Sequence, residues 1–329
     1  MTTTTAPTKW LDAFSRAEID ALLERSDGRA WLSIGANWGL VFAAFALVAW
    51  APNPLTILIA LVVIGARQLG CAIMMHEAAH RILFNSRQLN DWVGNWLCAF
   101  PVWGDLRPYR AYHLQHHAKT GTLDDPDLGL AAPFPVTRAS LRRKIWRDLS
   151  GQTGWKRARA TFKRDLGLSR GRVARKDGAG VTALHGVIIT NAVLLALLTL
   201  WGYAALYLLW VVAWLTTYSL AMRIRSIAEH GMVPDNADEL RNTRTTLVNW
   251  WERLLIAPNR VNYHLEHHLL MTVPLYNLPR MHRMLRDRGI LDRACVTRGY
   301  LEVLRLASAR PEHATAPAVD ASIAERPPF

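Results

Sequence analysis

Cysteine is scarce in this 329-residue chain: Cys71, Cys98 and Cys295 are the only three, and no two stand at the spacing of a metal finger or a dithiol redox motif. That excludes a disulfide framework as the organising principle and fits a reducing compartment. A glycine-rich phosphate loop, a dinucleotide fingerprint, a four-cysteine iron–sulfur pattern and an H-P-G-G haem motif are all missing. Any redox chemistry must then draw its electrons from a separate carrier. The opening "MTTTTAPTKWLD" lacks the basic region and early apolar run of a signal peptide, so the first apolar segment is expected to direct insertion.

Acidic residues are scarce in the middle of the chain. Residues 81–180 hold 19 Lys or Arg against 8 Asp, a net of +11 out of a total of +13. The cations are interleaved with Trp146, Trp155, Phe162 and Leu166, a pattern that suits an anionic lipid surface better than nucleic acid. A solvated basic face and a dock for an acidic electron carrier are the other readings.

What is abundant is apolar sequence in blocks. Leu32 to Ala51 is uncharged, Leu55 to Ala66 follows "PNP", and Thr182 to Met222 is broken only by "WGY" at 201–203. A helix of ~20 apolar residues crosses ~30 Å of hydrocarbon, so these blocks predict four crossings arranged as two hairpins. Arg67 ends the second block early. It stands near the headgroups if the helix begins near Trp50, the reading adopted here; otherwise it snorkels or pairs inside the bundle. The uncharged turns and the basic connection between hairpins place both termini and that connection in the cytoplasm.

Outside the spans, Ser15 and Glu18 are spaced as a capping box for a short amphipathic helix at the membrane interface, within an N-terminal segment 1–30. "DWVGNWLCAFPVW" is apolar but too short to span, which suits an interfacial or re-entrant helix. Residues 31–307 form the expected membrane-embedded catalytic domain, and 308–329, rich in Ala and Pro, a disordered tail.

Eight of the twelve histidines fall in three short motifs: His76 and His80 in "MHEAAH", His113, His116 and His117 in "YHLQHH", and His264, His267 and His268 in "YHLEHH". Residues three or four apart share a helix face, so each motif can present several imidazoles together. One metal rarely takes more than six ligands, and eight histidines favour two metals. A ninth candidate is His230 in "RIRSIAEHG": if the fourth crossing continues as a helix past Met222, His230 lies ~10 Å beyond Arg223, at the height of His76. His185 belongs to the third span and faces either the bundle or the opposite surface; His282 and His313 read as ordinary helix and tail residues. "HEAAH" also satisfies H-E-x-x-H, the zinc metalloprotease pattern with Glu77 as base, but one zinc would leave most of both triplets idle.

One H-x-x-x-H and two H-x-x-H-H boxes around apolar hairpins resemble the membrane fatty acid desaturase superfamily over roughly residues 30–290. The surrounding "TGTLDDPDLG", "RIRSIAEHG" and "NYHLEHHLLMTVPLYNLPRMH" agree with it. The resemblance implies an all-α integral membrane fold of four transmembrane helices as two hairpins, with a cytoplasmic helical cap holding a dimetal site. It implies two iron ions bound by His76, His80, His113, His116, His117, His264, His267 and His268, with His230 as an added ligand by position. The implied activity uses O2 as co-substrate to introduce a double bond into a fatty acyl chain, with two electrons from an external ferredoxin- or cytochrome-type donor. A lipid, alkane or carotenoid hydroxylase or ketolase of the same fold is the alternative.

Glu77, Glu229 and Glu266 each adjoin a proposed ligand and are expected either to orient imidazoles or help move protons, or to be solvated. Asp124, Asp125 and Asp127 are read as shaping the turn at Pro126. "TTYS" at 216–219 either lines a substrate path or packs helices.

Overall fold

A computed structural model describes residues 9–168 and 181–311, with side chains from residue 184 onward in the second stretch. The tail from 312, including His313, lies outside the described residues. In chain order the helices are α1 (Arg16–Leu23), α2 (Asp27–Trp50), α3 (Pro54–Ala79), α4 (Arg87–Val93), α5 (Leu106–Lys119), α6 (Leu128–Ala131), α7 (Arg138–Leu149) and α8 (Gln152–Asp165). They continue as α9 (Val181–Leu200), α10 (Tyr207–Leu215), α11 (Thr217–His230), α12 (Trp250–Leu255), α13 (His264–Leu269), α14 (Leu278–Asp287) and α15 (Gly299–Ala307). Two three-residue strands, β1 (Thr245–Leu247) and β2 (Val296–Arg298), pair in parallel, a small addition to the expected all-helical architecture.

Among the described residues, three helices are long and apolar enough to cross a membrane: α2, α3, and the run Ala204–His230 that contains α10 and α11. Helix α9 is apolar overall and counts as a shorter apolar helix over Leu184–Leu200. The α2–α3 turn follows from local chemistry. Pro54 opens α3 with its ring-fixed φ, and the Asn53 side chain accepts from the amides of Leu55 and Thr56.

Helix α3 changes character along its length. Leu55 and Leu58 are exposed, as a lipid-facing surface requires, whereas every residue from Ile64 to Ala79 is buried. The inner half is the axis of the molecule, with α2, α5, α10, α11 and α12 packed around it. Gly65 permits one of these approaches: a Cβ there would stand 2.2 Å from the Thr217 hydroxyl and 2.8 Å from the Tyr218 amide nitrogen. Arg67 belongs to this inner half. Helix α3 starts at Pro54 and not near Trp50, and Arg67 is 7% exposed with its guanidinium donating to the Leu254 carbonyl. The expected helix start near Trp50 is thus corrected to Pro54, and Arg67 pairs inside the bundle, one guanidinium nitrogen on a backbone oxygen and Nε buried without a partner.

Ser15 and Glu18 form the predicted capping box of α1. Leu22 is fully buried in a cluster with Leu278, Met281 and Leu285, so the apolar face of α1 packs on α14. The "DWVGNWLCAFPVW" segment is helical but irregular: α4 passes into a π turn at Gly94–Ala99 and a 3-10 turn at Phe100–Val102, packed against α3.

Candidate metal centre

The nine histidines are delivered by four helices. Helix α3 supplies His76 and ends at His80, α5 supplies His113, His116 and His117, α11 ends at His230, and α13 supplies His264, His267 and His268. All nine meet, and they form two groups. His76, His80, His113, His117 and His267 make one; His116, His230, His264 and His268 make the other; within each, one ring nitrogen per residue lies within 4.8 Å of all the rest.

Helix geometry explains the division. At ~100° per residue, positions four apart diverge by ~40° and positions three apart by ~60° to the other side. On α5 the pair four apart, His113 and His117, faces the first group and His116 the second. On α13 the sense is reversed: His264 and His268 face the second group and His267 the first. The α3 histidines complete the first group, and His230 completes the second.

The ring nitrogens within each group converge closely enough that they could hold a metal ion. Nε2 faces Nε2 at 3.0 Å in His80–His113, His113–His117 and His117–His267, and at 2.8 Å in His230–His264. A neutral imidazole has one donor and one acceptor nitrogen, so a chain of such contacts cannot satisfy every member. Both nitrogens of His76, Nδ1 of His267 and Nε2 of His268 are buried without a hydrogen-bond partner. Leaving such an atom unpaired costs about 1–3 kcal/mol, and a shared cation would give the converging lone pairs a partner.

Electrostatics keeps most of these lone pairs available. Burial, then the charges of Arg110 and His116, pushes His80 down to about 3. Burial, then His80 and His116, pushes His117 down to about 2. Burial and neighbouring imidazoles hold His113, His264, His267 and His268 well below the ordinary value. Neutral imidazole is the form that binds metal. His116 differs: burial lowers it, but the hydrogen bond to Asp125 and the charges of Asp127, Asp125 and Glu229 together raise it.

The surrounding carboxylates divide differently from expectation. Asp125 does shape its turn, accepting from the amides of Gly121 at 2.9 Å and Asp127 at 2.8 Å, but it also takes His116 Nδ1 at 2.7 Å. That contact fixes the tautomer that points Nε2 inward. Glu229 lies 3.5 Å from His264 Nδ1 and is held by Arg225 at 2.5 Å. Thr120 Oγ1 is 3.4 Å from His268 Nδ1.

Glu77 does not orient His76; it accepts from the Leu275 amide at 3.0 Å and stays 3.8 Å from His76 Nδ1. Glu266 turns from the ligands to His282 Nδ1 at 2.5 Å and to the Thr245 hydroxyl. His282 is therefore no ordinary helix residue: it is buried and locks the third motif from behind. His185 is exposed on α9. In "TTYS", Thr216 and Ser219 bond back along their own run to the Val212 and Leu215 carbonyls, and Thr217 bonds the Leu61 carbonyl of α3, which ties the two helices together. A cavity of about 30 Å³, room for a water or two, opens beside the second group between Tyr109, Leu130, Met222 and Ser226.

Comparison with known proteins agrees with this site. Residues 49–299 match the family described as "Fatty acid desaturase". A dihydrorhizobitoxine desaturase of Bradyrhizobium elkanii is 26% identical over 252 residues, 74% of this chain and 70% of the relative. An sn-1 oleoyl-lipid 12-desaturase of Synechocystis sp. is 22% identical over 283 residues, 80% and 78% of the two chains. An sn-1 acyl-lipid omega-3 desaturase (ferredoxin) of Synechocystis sp. is 27% identical over 122 residues, 37% of this chain and 32% of the relative. With three apolar helices of membrane-crossing length and two histidine clusters able to hold metal, the chain belongs to the fatty acid desaturase family of membrane oxidoreductases.

Proposed function

We propose that this enzyme introduces a double bond into a fatty acyl chain of a lipid, using O2 and a pair of irons. The observation that carries the reading is the sorting of nine histidines into groups of five and four. His76, His80, His113, His117 and His267 would hold one iron, and His116, His230, His264 and His268 the other. Zinc has no redox chemistry, so it would not serve a desaturation. When bound, the iron pair supplies the O2 activation that ordinary side chains lack for removing hydrogen from an unactivated C–H bond. The substrate loses two hydrogens, and O2 becomes two waters by taking those, two electrons from a carrier and two further protons.

The chain's own residues place and protect this chemistry. Asp125 orients His116, Glu229 supports His264, and Thr120 touches His268. The carrier is read as an external ferredoxin- or cytochrome-type protein, in keeping with the ferredoxin named for one relative. Helix α9, 20 residues long, is taken as a further crossing, giving two hairpins with the metal cap, the basic connection and both termini in the cytoplasm. Residues 31–307 would then form the catalytic domain and 308–329 a tail without catalytic part.

Elemental analysis of detergent-purified, unchelated protein tests the metal assignment. Two irons per chain are expected, and one zinc without iron would overturn it. Product analysis of the reconstituted enzyme should find an alkene; an alcohol would move the reading to a hydroxylase of the same fold.

A further inference from the structure

The basic connection contains a helical hairpin, α7 and α8, joined at Gly151. Its charges are sorted by burial. Arg138, Arg142, Arg143 and Arg147 are exposed on α7. Lys156, Arg159 and Lys163 are exposed on α8. The two acidic residues of these helices turn inward: Asp148 is fully buried against Arg223 of α11, and Asp165 is buried against Arg164. Exposed aromatics stand among the cations, with Trp146 67%, Trp155 62% and Phe162 46% accessible. Trp155, Arg159 and Phe162, at i, i+4 and i+7, share one helix face.

This surface is held against apolar helices. Helix α8 packs on α9 and α10, and a Cβ on Gly154 would come within 2.2 Å of the Leu215 carbonyl oxygen. Arg157 donates to the Trp214 carbonyl at 2.8 Å and lies over the Trp214 ring at 4.3 Å. Both contacts fall where the Ala204–His230 helix breaks at Thr216. Asp148 and Arg223 make the second tie, from α7 to α11.

We infer that the α7–α8 hairpin is a binding surface for anionic phospholipid headgroups, with Trp146, Trp155 and Phe162 entering the interface and the cations meeting lipid phosphates. The chemistry favours lipid over an acidic protein. Exposed tryptophan among arginines suits the boundary between headgroups and acyl chains, and the hairpin is fastened to helices of membrane-crossing composition. The inference goes beyond the desaturation reading and stands whether or not iron is bound.

The test uses the full-length protein in detergent, titrated with phosphatidylglycerol or phosphatidylcholine and read by native mass spectrometry. Phosphatidylglycerol should bind in preference, and the combined variant Arg142→Gln, Arg143→Gln, Arg159→Gln, Lys163→Gln should lose about fivefold in affinity for each cation removed. High salt should shrink the preference. Equal binding of both lipids by the native protein would overturn the inference. So would a variant that binds phosphatidylglycerol normally, including one that instead loses electron delivery from an acidic ferredoxin. If the combined variant does not fold, quenching by brominated phosphatidylglycerol in nanodiscs decides. It should fall in the variant Trp146→Phe, Trp155→Phe, and unchanged quenching would sink the idea.

Discussion

The two histidine groups are built by opposite economies. The first has five imidazoles, with neither ring nitrogen of His76 hydrogen-bonded and Glu77 withdrawn to the Leu275 amide. The second has four, and three of them have outer contacts: His116 with Asp125, His264 with Glu229, and His268 with Thr120. A centre rich in ligands is fixed by their number, whereas one with fewer depends on groups behind the rings to hold each in place. The cavity borders three members of the second group, His116, His230 and His264, and one of the first, His113.

The largest expected effect breaks this comparison at its weaker side. On the proposed assignment, His230→Ala would remove one of four candidate ligands, so bound iron should fall from two per chain toward one, with desaturation abolished. His80→Ala would remove one of five and should leave more iron in place at the same chelator concentration, although turnover drops as well. Iron per chain by elemental analysis on the two variants, purified in parallel, makes the test. Equal losses would show that ligand number does not set the difference.

Next in size is the loss of an outer contact. Asp125→Asn keeps the shape of the turn residue but removes the carboxylate that fixes His116 Nδ1, which should weaken metal retention about 10- to 100-fold. Chelator titration of purified protein would measure it. The iron released first should leave one iron per chain behind, because His116 belongs to the second group alone. Loss of both irons together would mean that the two groups do not act as separate holders.

How much of this was legible in the sequence follows from how local each feature is. The clustering of the histidines is local, because spacings of three and four are decided by one helix turn, and the place of His230 was reachable by counting residues beyond Met222. The partition into five and four was not legible: it depends on how α5 and α13 are rotated against each other. Asp125 was read correctly as a turn residue, and that role concealed the second one, since its contact with His116 depends on the loop folding back on α5. Arg67 was misplaced because its partner, the Leu254 carbonyl, comes from a distant part of the chain. The strands escaped notice for the same reason, with Thr245 pairing to Val296.

His282 sharpens the comparison by touching neither group while supporting both. It holds Glu266, which sits between His264 and His267 on α13, and that helix feeds one ligand to the first group and two to the second. The β1 residue Thr245 holds the same carboxylate from the other side. His282→Ala leaves Thr245 in place but removes one partner of a buried carboxylate, a loss of about 1–3 kcal/mol. The melting temperature should fall, while iron per chain stays close to the native value in protein kept cold. Because α13 serves both groups, any iron that is lost should leave them in parallel, unlike the stepwise loss expected for Asp125→Asn. A stepwise loss in His282→Ala would place the Glu266 contact behind one centre and end its role as a common support.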